Sequence, residues 1–523
     1  MGKDFQKKLK NFWPFLILII ASALLYSYRL DKVPVHLNQD EMEFSLNAYS
    51  ISKTFKDQDG RFLPFYFWHL GGFWAKPVIV YATSFFLKFL PLTESVIRLP
   101  SVFAGLASAF LIMVLIHKIF KKTSYTLLAG VVAITTPMLF IHSRIVLDYI
   151  YLVAFILLWL VFLKAYLDKG KNLYIFASGL SLGIGFHSYY AAEIFMPLYF
   201  LATLVFFWKK LGLKSSIIFI AGFIIPILLL IPWLLRYPDT LLRKISYVGA
   251  IDQSVDVEKG IWGVLNPSRL SRFFSSYLSY FSPKLLFISG DKSLIHSTQK
   301  HGAFLFPLVF LFVFGILNIL FKKKDAFSRL LLFGFLTYPI APALIAEPMR
   351  LARGIAVIPF VILISLYGVN YLQGFKEKSL KMLLLGIFLF SFLQFGLFVN
   401  DYFGNYRKES YAWFNNDIGG ALESAIKSTS IRNVKNVYID KNIYFIEKYV
   451  KFYSLKLSSD LESRAIYFDP TSIDFSSFPI YSLVVVKAEN GPERIDKVGN
   501  FEKIETIREP NGYETFYIFY RDR

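Results

Sequence analysis

Residues 148–167 read DYIYLVAFILLWLVFLKAYL, residues 168–172 read DKGKN, and residues 173–188 read LYIFASGLSLGIGFHS. Two apolar runs flank a short polar turn that carries Lys169 and Lys171. A helix that crosses the hydrocarbon core needs about 20 apolar residues. The same alternation recurs along most of the chain. We read about eleven such runs, near 12–29, 96–119, 125–141, 148–167, 173–188, 190–208, 215–235, 303–321, 327–346, 351–373 and 380–399. The fold class expected is a multi-pass all-α membrane protein.

Composition agrees. Of 523 residues, 55% are hydrophobic and 18% charged, where a soluble domain carries about 25% charged residues. Mean hydropathy is +0.48. The 56 Phe and 32 Tyr suit lipid-facing helix surfaces and the headgroup interface. The formal charge of +20 is concentrated in short loops, so it speaks for topology and not for nucleic acid. The chain has no cysteine, which removes disulfides, thiolate nucleophiles and Cys-ligated metals together. The start, MGKDFQKKLKNFWPFLILIIASALLYSY, has a basic head and a long apolar run without a small-residue cleavage site. It reads as a retained signal anchor. Gly2 opens a poor match to a myristoylation pattern.

The loops set orientation. Taken alternately, one set of flanks holds Lys7, Lys8 and Lys10; Lys118, Lys121 and Lys122; Lys164, Lys169 and Lys171; Lys209, Lys210 and Lys214; Lys322 to Lys324; and Lys376, Lys378 and Lys381. The positive-inside rule places these, and the N-terminus, in the cytoplasm. The long segments 30–95, 237–302 and 400–523 then face outward. Residues 77–90 and 270–288 read as interfacial helices. In 400–523 the segments VKNVYID, SRAIYFD, YSLVVVKAE and YETFYIFYRD read as strands and 411–428 as a helix. This gives a small C-terminal extracytoplasmic α/β domain after a membrane domain over 1–399. No nucleotide loop, metal cluster or internal repeat is apparent.

Four outer segments carry candidate chemistry. In NQDEMEFSLNAYSI, Asp40 and Glu41 stand at a helix start, followed by Glu43. Carboxylates there suit catalysis or simple N-capping. In FWAKPVIVY, Lys76 precedes Pro77; a cation at headgroup level snorkels or binds a lipid phosphate. In HSRIVLDYI, Arg144 and Asp148 lie four apart, a structural pair or a functional one. In AEPMRLARGIAVIPF, Arg350 and Arg353 sit at an outer helix end, against the positive-inside trend. Two guanidiniums suit a phosphate or an interface anchor. Asp57, Asp59 and Gly60 form a turn. His296 and His301 have no third ligand in sequence, so no zinc site is read. Glu193 has no partner visible in sequence.

These segments, in this order, together with DGRFLPFYF and YLSYFSPKLLFISGD, resemble the protein O-mannosyltransferase-like membrane glycosyltransferases. That group includes the lipid A aminoarabinose transferases, and its fold is called GT-C. The resemblance runs over about the first 375 residues. It implies that Asp40 and Glu41 are catalytic, and that Lys76 meets a lipid phosphate. It further implies that Arg144, Asp148, Arg350 and Arg353 belong to motifs on the donor side. Ala75 stands where the aminoarabinose transferases have an acidic metal-holding residue, which argues against that metal. No repeats of the eukaryotic protein mannosyltransferase kind occur. The implied activity is transfer of a hexose or pentose from a polyprenyl-phosphate donor to a hydroxyl of a glycan, lipid or protein acceptor. It would take place on the outer side of the cytoplasmic membrane, with inversion, with Asp40 as base, and with no cofactor or metal. A lipid-linked saccharide transporter or flippase, a pyrophosphate-donor polymer ligase, and a binding-only receptor remain the other classes the sequence admits.

Overall fold

The computed structural model describes residues 2–240, 267–345, 349–375, 377–490 and 500–522. The chain is mostly helical. From the N-terminus come α1 (Gly2–Ser27), α2 (Gln39–Thr54), the short strands β1 (Phe67–His69) and β2 (Phe73–Ala75), α3 (Pro77–Phe89) and α4 (Glu94–Phe120). Then follow α5 (Thr123–Ile134), α6 (Pro137–His142), α7 (Tyr149–Lys169), α8 (Asn172–Gly185), α9 (Ala192–Leu228) and α10 (Leu230–Arg236). After the undescribed residues 241–266 come α11 (Pro267–Ser279), α12 (Leu308–Leu317), α13 (Ala326–Thr337), α14 (Ile340–Leu344), α15 (Val357–Gln373) and α16 (Lys378–Phe403).

Each of the eleven apolar runs contains helix. By length and apolarity, five stretches among the described residues are long enough to cross a membrane: Glu94–Phe120, Tyr149–Lys169, Ala192–Arg236, Ala326–Leu344 and Lys378–Phe403. The others are shorter apolar helices, such as Thr123–Ile134 and Val357–Gln373. The protein is a multi-pass membrane protein. Two of the sequence runs, 190–208 and 215–235, fall inside the single stretch Ala192–Arg236. They are separated at Gly212, whose φ of 63° and ψ of 175° leave the helical region. Lys209, Lys210 and Lys214 flank this break. Part of the long segment 237–302, the AEP of the arginine motif, and Lys376 lie outside the described residues.

Two compact units divide the chain: Met1–Tyr28, Leu63–Ala82 and Arg98–Asn400 form the first, and Arg29–Phe62, Thr83–Ile97 and Asp401–Arg523 the second. In the first unit, glycines set the tightest helix crossings. A Cβ on Gly179 of α8 would strike the Phe219 carbonyl of α9, and one on Gly368 of α15 would strike the Leu311 carbonyl of α12. Without a hydrophobic drive between helices in lipid, such backbone approach supplies much of the packing.

The second unit has a five-stranded sheet. Its strands are β3 (Asn436–Asp440), β4 (Ala465–Phe468), β5 (Ser482–Lys487), β6 (Phe501–Arg508) and β7 (Glu514–Arg521), in the order β4-β3-β5-β7-β6. β3 is parallel to β4 and β5, and β7 is antiparallel to β5 and β6. Four of these strands lie in the four segments read as strands. The fifth, β6, was not read: FEKIETIR alternates charged with apolar residues and pairs only with β7, at the sheet edge. Phe468, Phe475, Phe478, Val484, Val486, Tyr517 and Phe519 form one core of the domain. Helices Ile418–Ile431 and Ile446–Lys456 pack together, the first also against β5 and β7. Helix α2 of the first long loop packs on Ile446–Lys456, so the loop that carries the acidic pair belongs to the same unit as the sheet.

Candidate active site

In the first unit, the aromatic-rich run FWHLGGFWA folds as a hairpin in which Phe67 pairs with Ala75 and His69 with Phe73. Gly71 turns it with a φ of 71°. The hairpin ends directly before Lys76, and Pro77 then opens α3, where a missing N–H costs nothing. Lys76 is therefore fixed between two regular elements. It is 1% exposed. Its ammonium forms an ion pair with Glu193, in the first turn of α9. It also donates to the Tyr66 hydroxyl at 3.3 Å. The rings of Tyr66, Tyr190 and Phe186 surround it, with centroids 4.7, 5.1 and 5.7 Å from Nζ.

The network continues inward. His187 Nε2 lies 3.2 Å from the Pro226 carbonyl and must donate to it. That leaves Nδ1 as the acceptor for the Tyr66 hydroxyl at 3.1 Å. Burial works against the Lys76 charge, but Glu193 and Tyr66 outweigh it and hold the ammonium above its usual value of 10.5. The same burial, with Lys76 nearby, pushes His187 down from 6.5 to about 4. Behind the network Tyr66, Trp74 and Leu230 form a buried cluster lined by Trp233 and Tyr237. Two of the ammonium's three N–H groups are thus engaged, and the third has no acceptor among the described residues. Glu193 side chain is 21% exposed, which makes it the polar edge of the group. Sequence reading found Lys76 but not its partners: Glu193 is 117 residues away along the chain, and Tyr66, only 10 residues away, meets Lys76 through the hairpin between them.

Arg144 is held at the end of α1. It is fully buried, and its guanidinium donates to the carbonyls of Tyr26 at 2.5 Å, Tyr28 at 2.7 Å and Leu25 at 3.4 Å. These are the carbonyls that the end of α1 leaves without helical partners. A cation there also meets the negative end of the helix dipole. Asp148 is buried and occupies the position before α7, without a side-chain cap bond.

Arg350 and Arg353 also belong to the first unit. Arg350 is exposed and Arg353 half-buried. Tyr280 and Asp291, from the segment YLSYFSPKLLFISGD, hold the backbone of this arginine segment.

The acidic pair lies in the second unit. Asn38, in extended conformation, caps α2: its side chain accepts from the Glu41 N–H at 2.9 Å. The Glu41 carboxylate accepts from the Asn38 N–H at 3.2 Å. This reciprocal capping box satisfies two otherwise orphaned donors, so Glu41 has a structural task. Asp40, one position earlier, is half-buried and stands outside this reciprocal pair. Glu43 is buried and pairs with Lys448 at 2.9 Å. Tyr449 donates to the Leu37 carbonyl at 2.9 Å and Asn415 to Gln39 at 2.7 Å. Burial holds the Tyr449 phenol far above its usual range, and the charges of Glu41 and Asp40 add to that. In the DxDG turn, Arg61 binds Asp57 at 2.6 Å and also pairs with Asp59, so both carboxylates serve the turn itself.

Residues 75–235 match the family model described as dolichyl-phosphate-mannose-protein mannosyltransferase. No curated protein matches the chain. Among solved structures, the apo form of ArnT from Cupriavidus metallidurans is similar with 13% identity and a TM-score of 0.56, over 96% of this chain and 97% of that one. ArnT from the same organism bound to undecaprenyl phosphate gives 12% identity and a TM-score of 0.54, over 96% and 98%. The archaeal oligosaccharyltransferase AglB from Archaeoglobus fulgidus, in complex with an inhibitory peptide and a dolichol-phosphate, gives 12% identity and a TM-score of 0.51, over 97% and 74%. Residues 75–235 thus match the mannosyltransferase family model, and over nearly its whole length the chain shares the GT-C fold of the ArnT and AglB structures.

Proposed function

We propose that the protein transfers a sugar from a polyprenyl-phosphate donor to an acceptor hydroxyl, on the outer side of the cytoplasmic membrane. The observation that carries this reading is Lys76: a buried, charged ammonium with one N–H that finds no acceptor among the described residues, at the start of the segment that matches the mannosyltransferase family. The ArnT structure with undecaprenyl phosphate and the AglB structure with dolichol-phosphate support a lipid phosphate as the donor's carrier.

The acceptor oxygen attacks the anomeric carbon while the bond from that carbon to the phosphate oxygen breaks. The bonding electrons leave on the lipid phosphate. The acceptor proton passes to the Asp40 carboxylate, which is the base. One displacement inverts the anomeric centre. Negative charge grows on the phosphate, and Lys76 stabilises it; loss of one such donor costs about 3 kcal/mol in comparable sites. Glu193 and Tyr66 keep Lys76 charged and aimed, so no reorganisation is needed during reaction. Glu41 holds the helix start on which Asp40 stands.

The test compares wild type with Asp40→Asn for donor binding and for turnover. This reading expects Asp40→Asn to bind a polyprenyl-phosphate sugar normally and to release no polyprenyl phosphate. Equal turnover in the two proteins would remove Asp40 as the base. Movement of the intact lipid-linked sugar across a vesicle membrane, without cleavage, would make the protein a transporter.

A further inference from the structure

The two outer arginines are presented by an unusually well-held backbone. Tyr280 is fully buried at the end of α11. Its hydroxyl accepts the Arg350 N–H at 3.1 Å and lies 3.3 Å from the Arg350 carbonyl, to which it donates. Its own carbonyl is held by the Tyr338 hydroxyl. Asp291, 1% exposed, accepts the Leu351 N–H at 2.6 Å through one carboxylate oxygen and the Ser293 N–H at 2.8 Å through the other. The turn closes with the Arg353 N–H on the Arg350 carbonyl at 3.2 Å. Gly354 rests against the ring of Tyr280. The Arg350 guanidinium, by contrast, is exposed and makes no hydrogen bond or ion pair among the described residues. A buried phenol thus holds the backbone of Arg350, and a buried carboxylate holds that of the next residue, Leu351, while the Arg350 side chain is exposed.

We propose that Tyr280 and Asp291 are positioning residues, which hold Arg350 as a preorganised cation for a phosphoryl anion. The identity of that anion, the phosphate of the lipid-linked donor, rests on the function proposed above. A cation on a fixed backbone loses little freedom on binding and needs no rearrangement as charge develops. Arg353 and His296 belong to the same surroundings. Burial, the stacked His142 and then the charges of Arg350 and Arg353 hold His296 well below its usual value. Burial also raises the Asp291 carboxyl, against the pull of its N–H donors and of Arg350. Its charge is therefore sensitive to loss of those partners.

The experiment measures binding of undecaprenyl phosphate and, in parallel, of inorganic phosphate to the full-length protein in lipid. The proteins are wild type, Arg350→Gln, Asp291→Asn, Tyr280→Phe, and each of the last two combined with Arg350→Gln. Thermal stability is recorded for all. Arg350→Gln, Asp291→Asn and Tyr280→Phe should each weaken binding about tenfold, and neither positioning variant should weaken it further once Arg350 is gone. Equal losses with and without Arg350 would show a general effect on the fold and overturn the proposal. So would wild-type binding of both probes by Arg350→Gln, with the donor reading left intact. Arg350-dependent binding of inorganic phosphate without binding of the lipid would keep the anion site and sink the donor reading.

Discussion

Lys76 illustrates how a charge is kept in a membrane protein's interior. Its ion pair and tyrosine contact raise it above 10.5, so its charge persists until pH rises past that value. Activity between pH 6 and 9 should therefore show no limb from Lys76. Lys76→Met should lower turnover about 10²–10³-fold, read as release of polyprenyl phosphate, and an unchanged rate would remove it from the phosphate site. His187 sets the acid side of stability. It sits in the turn between α8 and α9, and its value falls from 6.5 to about 4. Between these values the unfolded chain binds a proton that the native one does not, so stability rises with pH there and is lost as pH falls through the window. Melting temperature should drop from pH 6.5 towards pH 4 in wild type and flatten in His187→Gln. Lys76, Asp40, Arg350 and Arg353 stood out as candidates in sequence because each sits in a short motif. The contacts of Glu193 with Lys76 and of His187 with Tyr66 were not legible there, since partners 117 and 121 positions apart leave no mark in each other's neighbourhood; Tyr66 is 10 residues from Lys76 and is brought to it by the hairpin. Arg144 was legible as an outlier, but its three carbonyl acceptors on α1 came only with the fold.

The elements follow local rules where those rules are strong. Asn38 and Glu41 start α2 as a capping box. Glu41→Gln keeps both of its hydrogen bonds, whereas Glu41→Ala loses one and should cost about 1 kcal/mol. If turnover survives Glu41→Gln with unchanged melting temperature, the residue's task is structural; a large loss of turnover would give it a chemical one. Gly179 and Gly368 work at helix crossings, where a partner's carbonyl lies against the glycine. Leu at either position should destabilise by about 1–3 kcal/mol, seen as lowered melting temperature and detergent tolerance. Apolar runs announced the helices, and β-branched and aromatic runs announced four strands. The edge strand β6 escaped because FEKIETIR carries four charges among its eight residues. The break at Gly212 came with flanking lysines and was legible as two runs.

At the scale of the molecule, the first long loop is more than a tether. Residues 29–62 form one compact unit with 401–523, joined through Glu43 and Lys448, Leu37 and Tyr449, and Gln39 and Asn415. Composition showed where the membrane helices stop, but not that a loop with partners 376 to 412 residues further along the chain belongs to the same compact unit. Removal of 401–523 should expose residues 29–62 to rapid amide exchange and abolish turnover, while the helical unit still inserts. Slow exchange of that loop in the truncated protein would contradict this.

Sugar transfer from a lipid phosphate is tested most directly by a donor panel. Purified protein in lipid is given polyprenyl-phosphate sugars one at a time, with cell-envelope extract as acceptor and Asp40→Asn as control. Release of free polyprenyl phosphate from one donor, by wild type alone, is the predicted result. No release from any donor, or equal release by Asp40→Asn, would contradict the account.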